Sequence, residues 1–331
     1  MDSVTLALDV MGGDNGPRIA VPAIKRALHV YRDLNLLIFG EEKIVLPLLR
    51  DFGLASNEQI KFIASEDYKG FNNPISVLRH GKNTSLFKAI ESVGNSKAQG
   101  AISAGSTGAL VLVANHLIGT LPNVHRSALV QIMPSFNSKG TVLLDLGANL
   151  RYTKEMLYQY GVMGSVLAKC VLGYNSPKLG LLNIGTEDSK GPVLLKECAD
   201  LFKANKNLNY IGFIEGNDIF TGNADVIVTD AFTGNVALKT AEGLYRVLES
   251  RLNSKSYFSF LFKPIKGFIK KRIGLMQPDA YNGSILLGLD GVIIKSHGSA
   301  NSNAYFSAIS QGYNEVRFDI TKKIAEGLTQ I

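Results

Sequence analysis

The chain has 331 residues, 46% hydrophobic and 19% charged, with 35 basic against 28 acidic side chains. That length can bury a sizeable core, and the composition excludes collagen-like, disordered and disulfide-framework classes. The charge excess is confined to one stretch, because the span between Glu249 and Asp279 holds seven cations and no acid; a local excess of this kind argues against a nucleic-acid partner.

In chain order, β-like apolar runs fall near Val4–Leu8, Leu36–Phe39, Ala101–Ser103, Ala128–Ile132, Val142–Asp145, Leu179–Ile184, Tyr210–Ile214, Ala224–Val228 and Val292–Lys295. Helical patterns lie between many of them, such as Arg18–Tyr31 opened by Pro17, and Met156–Leu172. Strands alternating with helices predict an α/β fold, a mostly parallel sheet covered on both faces in three α/β/α layers. No repeat, low-complexity tract or Pro/Gly/Ser linker marks a boundary, so 1–331 is read as one catalytic domain. The start, MDSVTLALDVMGGD, carries Asp2 and Asp9 and lacks a basic n-region, so no secretory signal is expected. No apolar run reaches the ~18 residues of a spanning helix. Cys170 and Cys198 stand far apart outside any CxxC, which predicts packed thiols and a reducing cytoplasm.

Glycine-rich turns follow several strand-like runs: DVMGGD at 9–14, SAGSTGA at 103–109, LDLGAN at 144–149, LLNIGTEDSKG at 181–191 and DAFTGN at 230–235. Turns of this kind present backbone N–H groups and helix N-termini to an anion of about phosphate size. They are expected to converge on one crevice at the carboxyl edge of the sheet.

The basic stretch at 250–279 is also apolar. Phe258, Leu261, Phe262, Ile265, Phe268, Ile269, Ile273 and Met276 recur at spacings of three and four. That is one side of a helix, interrupted at Pro264. A projecting amphipathic hairpin is expected, running out through about Leu252 and back from Pro264. Its expected contacts with an anionic membrane surface are Phe258, Phe260, Leu261, Phe262, Lys263, Ile265, Lys266, Phe268, Ile269, Lys270, Lys271 and Arg272. Each Lys or Arg near such a surface contributes about 1 kcal/mol and each inserted Phe about 1.5–3 kcal/mol, enough for reversible attachment.

Other chemistries lack their signatures. MGGDNGPR is not the GxGxxG of a dinucleotide site, and neither a GxxxxGK[ST] loop nor a GxSxG elbow occurs. His29, His80, His116, His125 and His297 are scattered, so no metal site and no cofactor is expected. His29 and His116 fall in helical runs, His80 and His125 in expected loops, and His297, in KSHGSANS after a strand, is placed like a site residue. An anion cradle with a lysine and an amide, but no metal or protein nucleophile, suits acyl transfer to phosphate. Phosphate is itself the nucleophile, and a thiolate of conjugate pKa about 8.5 leaves readily.

The ordered set DVMGGD, SAGSTGAL, LLDLGAN, LLNIGTEDSKG, FIEGNDIFTGNADVIVTDAFTGNVALKTAEG and LLGLDGVIIKSHGSAN resembles the bacterial phosphate acyltransferase family known as PlsX, nearly end to end. The resemblance implies a three-layer sheet related to isocitrate and isopropylmalate dehydrogenases and to phosphate acetyltransferase. It implies a homodimer at the cytoplasmic face of the membrane, attached through a helical hairpin. The implied reaction converts acyl-[acyl-carrier protein] and inorganic phosphate to acyl phosphate, which a membrane glycerol-3-phosphate acyltransferase then uses. Carried over by motif, Lys190 and Asn235 are expected at the phosphate and transferred carbonyl, and His297 as a phosphate positioner or proton shuttle. Gly185, Thr186, Glu187, Thr233 and Gly234 are expected around substrate, with Ser103, Gly105, Ser106, Thr107 and Gly108 at a helix start. Asp9, Gly12, Gly13, Asp14, Asp145 and Asn149 complete the expected set, the aspartates as organisers of donors. The chain departs from the family's DAMGGD, SAGNTG, DGFTGN, YGGA and Arg-Pro-Ala patterns at Val10, Ser106, Ala231, Asn282, Ser284 and Ser127, read as drift around unchanged chemistry. The alternatives are a dehydrogenase on a related sheet, an acetyltransferase using acyl-CoA, and a non-catalytic membrane scaffold.

Overall fold

The computed structural model describes residues 3–67, 73–136, 139–253 and 282–329. Eleven strands form one sheet: β1 (Val4–Asp9), β2 (Leu34–Gly40), β3 (Ile60–Ala64), β4 (Gly100–Ser103), β5 (Ala128–Met133), β6 (Thr141–Leu144), β7 (Lys178–Leu182), β8 (Asn209–Ile214), β9 (Val226–Val228), β10 (Ser284–Leu287) and β11 (Val292–Lys295). Their spatial order is β3-β2-β1-β4-β11-β10-β5-β6-β9-β7-β8. Among the described residues the α-helices are α1 (Pro17–Val30), α2 (Glu42–Asp51), α3 (Pro74–His80), α4 (Ser85–Gly94), α5 (Thr107–Leu117), α6 (Lys154–Leu172), α7 (Val193–Ala204), α8 (Ala231–Asn253), α9 (Ser302–Arg317) and α10 (Ile320–Thr329).

Local chemistry sets these boundaries. Pro17 opens α1 at a position where a missing N–H costs nothing. Thr153 caps α6 by accepting the Met156 N–H at 3.2 Å, and Gly173, in the left-handed region at φ 67°, ends it. Cys198 packs fully buried inside α7 and Cys170 is half-buried on α6; burial pushes the Cys198 thiol up to about 12. His29 and His116 lie in α1 and α5 as expected, whereas His80 is the last residue of α3 rather than part of a loop.

Strand alternation sends side chains to two different layers. Leu6, Leu8, Val142, Leu144, Val292 and Ile294 join one continuous core with α1, α6, α7 and α9. On the other face the core is divided: Ala7, Ala101 and Ile293 pack with α3, α4 and α5, while Leu129, Leu143 and Ile227 pack with α8. Central strands buried on both faces, such as β4, β6 and β9, read as continuous apolar runs, as parallel sheets require.

The sheet is parallel except at β10–β11, β5–β10 and β5–β6. Three reversals in a row turn β6, β9, β7 and β8 against β1, β2, β3, β4 and β11. The glycine turns therefore do not share one carboxyl edge, which corrects the expectation of a single rim. Those after β1, β4 and β11 leave one end of the sheet, and those after β6, β7 and β9 leave the other. Among the described residues no helix is long and apolar enough to cross a membrane. The hairpin expected at 250–279 lies, from residue 254 onward, outside the described residues.

Candidate active site

At the first end, three turns are knitted together. Asp9 is fully buried; its carboxylate accepts from Ser103 Oγ at 2.6 Å and from the Met11 and Gly12 N–H groups at 3.2 Å. Burial raises its pKa, and those hydrogen bonds pull the other way. Ser103 Oγ in turn accepts the Gly105 N–H at 2.9 Å, and the Asp14 N–H donates to the Gly298 carbonyl at 2.8 Å. A Cβ on Gly12 would stand 2.7 Å from the Gly105 nitrogen, so only glycine lets these turns approach. Asp9 thus organises donors, while Gly13 and exposed Asp14 border the β11 turn. Ser106 precedes α5, whose first residues are Thr107 and Gly108.

At the second end, Asp145 plays the matching part. It accepts N–H groups from Leu129, Gly147, Ala148 and Asn149 at 2.9–3.1 Å, and Asn149 Nδ2 at 2.9 Å. Burial raises its pKa against those bonds. Asn149 Nδ2 also reaches the Ser127 carbonyl at 2.7 Å, so both side chains are turned into the protein. Asp230 accepts the Phe232 and Thr233 N–H groups at 3.0 Å and Thr233 Oγ1 at 2.6 Å, opening α8. Gly234 rests on the Asp145 backbone, and Asn235 Nδ2 donates to the Leu146 carbonyl at 3.0 Å.

Between the two ends, over β5 and β10, the divided core leaves a cavity of about 440 Å³. Leu129, Gln131 and Ser284 form its floor, with Ser284 Oγ donating to Gln131 Oε1 at 3.0 Å. Thr107 and Gly108 line it from α5, and Leu146, Gly147 and Asn235 close one end. Lys239, Glu242, Tyr245 and Arg246 descend along α8, and Lys295, Ser296, His297 and Ser299 close the other end.

His297 is held tightly. Its Nδ1 accepts the Ser299 N–H at 3.2 Å and lies 2.9 Å from Ser299 Oγ. With Nδ1 accepting, the ring proton sits on Nε2, 3.6 Å from Glu242 Oε2. Glu242 also takes Lys239 Nζ at 2.9 Å. Burial opposes its ionisation, yet His297 and Lys239 together hold its pKa down at about 2. Asn282 supports the loop from beneath: its Nδ2 donates to Ser296 Oγ at 2.8 Å and to the Ala304 carbonyl at 2.7 Å, and its Oδ1 accepts the His297 N–H at 2.9 Å. This departure from the family's glycine is therefore a structural element of the loop, not drift.

Of the residues singled out from sequence, Thr107, Gly108, Asn235 and His297 line the cavity. Asp9, Gly12, Gly13, Asp14, Ser103, Gly105 and Ser106 stand behind one end, and Asp145, Asn149, Thr233 and Gly234 behind the other. Gly185, Thr186, Glu187 and Lys190 belong to the turn after β7, with Thr186, Glu187 and Lys190 exposed and away from the cavity lining. Asn183 shapes that turn by donating to the Lys190 carbonyl at 3.2 Å. Sequence reading missed Lys239, Glu242, Arg246 and Lys295. The signal was there: Asn235, Lys239, Glu242 and Arg246 recur at helical spacing on one side of α8, and Lys295 ends an otherwise apolar strand. Among the described residues no group of His, Cys, Asp and Glu is placed to hold a metal ion.

A divided α/β/α sheet with a polar, cation-lined cleft over its antiparallel strands defines the fold class, and solved structures share that fold. A phosphotransacetylase from Streptococcus pyogenes superposes with a TM-score of 0.62 at 20% identity, covering 99% of this chain and 94% of that one. A 4-hydroxythreonine-4-phosphate dehydrogenase from Burkholderia phymatum superposes with a TM-score of 0.53 at 13% identity over 95% and 98% of the two chains. The sequence narrows the class further. The fatty acid synthesis protein family model matches residues 4–323, and the chain belongs to that family. Proteins named phosphate acyltransferase from Shewanella loihica and Moritella marina are each 43% identical to it, over 100% and 99% of this chain and 98% and 99% of theirs. It is an acyltransferase of fatty acid and phospholipid synthesis, the class that the motifs resemble.

Proposed function

We propose that the protein converts acyl-[acyl-carrier protein] and inorganic phosphate to acyl phosphate and free carrier protein. The observation that carries this reading is the cation-lined cavity, where Lys239, Arg246 and Lys295, with the His297 imidazole beside them, face one carboxylate, Glu242. A site of this charge attracts a phosphate dianion and stabilises the oxyanion formed when a phosphate oxygen attacks the thioester carbonyl. The C–O bond forms, the tetrahedral oxyanion collapses, and the C–S bond breaks to release the carrier's thiolate. Asn235 aims its amide at the oxyanion, and Lys190, exposed on the turn after β7 and outside the cavity lining, reaches in to neutralise it. His297 positions the phosphate. The acyl phosphate then passes to a membrane glycerol-3-phosphate acyltransferase.

We further infer a homodimer working at the membrane surface. Phe232, Val236, Leu244 and Val247 stand exposed on α8, an apolar surface that suits a second copy of the chain. The apolar and cationic sequence at 250–279 suits an anionic bilayer surface. Liposome sedimentation of a variant lacking Phe258, Phe260, Phe262, Lys270 and Lys271 tests that attachment.

The deciding assay is phosphate-dependent thiol release from acyl-[acyl-carrier protein], run beside acyl-CoA and with or without anionic liposomes. Lys190→Ala is expected to lower turnover about 10²–10³-fold, the loss typical of one preorganised electrostatic group. Near-normal turnover by that variant removes Lys190 from the reaction. A second reading has its own observation: Ser299 Oγ, His297 and Glu242 form a chain of contacts like that of a serine nucleophile. Direct attack by phosphate predicts that Ser299→Ala keeps turnover and that no acyl-serine appears by mass spectrometry. Loss of turnover together with an acylated Ser299 in the parent favours the covalent route.

A further inference from the structure

Lys295 is the buried cation that the sequence did not single out. Along β11, Val292 and Ile294 enter the continuous core and Ile293 packs with α5, so the alternation sends Lys295 to the cavity face. Its side chain is only 9% exposed. An ammonium carries three donors, and one of them reaches the Ser296 carbonyl. Among the described residues no carboxylate lies within ion-pairing distance of it. The carboxylates nearest in effect are already occupied: Asp9 by Ser103, Met11 and Gly12, and Glu242 by Lys239.

A buried ammonium with donors open onto a cavity is costly unless an anion completes it. Gln131, Asn282, Ser284 and His297 beside it are polar, so this end of the cavity suits a compact oxyanion and not an acyl chain. We propose that Lys295 is the phosphate-seating cation of this cavity, taking the dianion that becomes the phosphoryl group of the product. The inference rests on the acyl-transfer reading above and assigns the phosphate to the His297 end, leaving the thioester carbonyl to the Asn235 end.

The charge balance at Lys295 gives the proposal a signature. Burial and the Lys239 ammonium on α8 push its pKa down to about 8, against the opposing pull of Asp9, Glu242 and Asp14. Arg246 and His297 face the same cavity. A bound dianion restores the ammonium, so phosphate affinity falls as pH rises above about 8, where phosphate is already the dianion.

The experiment measures binding of inorganic phosphate by calorimetry, and KM for phosphate and for acyl-[acyl-carrier protein], in the parent, Lys295→Met and Lys295→Arg. For the parent, the dissociation constant is expected to rise about tenfold between pH 8 and pH 9.5, following the loss of one proton. Lys295→Arg, charged throughout, is expected to bind phosphate with little change over that range. Lys295→Met is expected to raise KM for phosphate more than tenfold while KM for the thioester stays within twofold. Should Lys295→Met fail to fold, the pH profile of Lys295→Arg decides. Parent-like phosphate binding in Lys295→Met, an unchanged pH slope in Lys295→Arg, or a KM change confined to the thioester overturns the assignment. Absence of acyl phosphate from the parent instead refutes the reaction, and the binding data still report on Lys295.

Discussion

Replacing Asn282 by alanine tests whether the His297 loop is held from below. The side chain is 8% exposed and makes hydrogen bonds to Ser296 Oγ, the Ala304 carbonyl and the His297 N–H. In Asn282→Ala the Ser296 Oγ loses a donor but can rotate to another partner, and the Ala304 carbonyl keeps its place in the ladder of α9, so the His297 N–H is the group left stranded. A stranded buried group costs about 1–3 kcal/mol, and that is the expected loss. Unfolding entropy scales with length, so for a chain this long each kcal/mol moves Tm by about 1.5 °C, giving a fall of about 1.5–4.5 °C. Scanning calorimetry reads that shift directly. The family commonly carries glycine here, so the chemistry does not require the amide. Turnover is therefore expected to fall by no more than about tenfold, through loosening of His297. Ser284→Ala, which removes one half-buried bond to Gln131, is expected to shift Tm by less than about 2 °C. An Asn282→Ala protein melting within about 1 °C of its parent would refute the idea that this amide holds the loop.

Gly234→Ala is expected to abolish activity and lower expression, because the added Cβ collides with the Asp145 carbonyl oxygen; a soluble, active variant would show that α8 can shift outward. Glu315 is fully buried, and burial raises its pKa to about 8 against one amide donor from Gln311. Its folded pKa lies above its unfolded value, so its contribution is fully present below about pH 4.5 and is lost as pH rises through about 8, by at most about 1.4 kcal/mol per pH unit. Glu315→Gln is expected to flatten that decline in denaturant melts across pH 5–9, and an unchanged slope counts against it. Glu242 shows the opposite sign: its depressed pKa means stability present above about pH 4.5 and lost as pH falls toward 2. Acid titration of Glu242→Gln should lack that part of the loss.

The strands were readable where burial on both faces makes an unbroken apolar run. The run Val292–Lys295 coincides with β11, and Val4–Leu8 falls one residue short of β1. Two strands escaped. β3, Ile60–Ala64, is a half-exposed edge carrying Lys61 and so lacks such a run. β10 is only Ser284–Leu287, four residues behind a glycine turn. Losing β10 had a consequence beyond its length, because strand direction is invisible to periodicity. Without β10 the sheet reads as parallel throughout, and every glycine turn then falls on one edge. The site residues divide in the same way. Asn235 and His297 stand in turn-like motifs and were found; Lys239, Glu242 and Lys295 sit inside regular elements, where a charged residue reads as a solvated face until the partner surface is known.

The reversal also explains how two turn families serve one cavity. α8 begins at the end where Asp145 and Asp230 fix Asn235 and runs back along the floor of β5 and β10. From Asn235 to Glu242 are seven residues, which at about 1.5 Å each span about 10 Å. That rise carries the helix from the amide end to Glu242, whose carboxylate lies 3.6 Å from His297 Nε2. The helix is thus a ruler between two poles: an amide beside Gly147 at one, an imidazole and buried ammonium at the other. Direct transfer between a thioester and a phosphate requires the reacting atoms within about 3.5 Å of each other. In the proposed reaction, two substrates anchored at ends set about two helical turns apart can meet that limit, because each extends a few ångströms inward from its anchor. A substitution that slides α8 along its axis should therefore raise neither KM much but depress turnover, since both anchors survive while their separation changes. Tight coupling at both ends resists such a slide: Asn235 to the Leu146 carbonyl, and Glu242 to Lys239 and His297. The glycine motifs supply close packing at the poles, and the distance between the poles belongs to the helix.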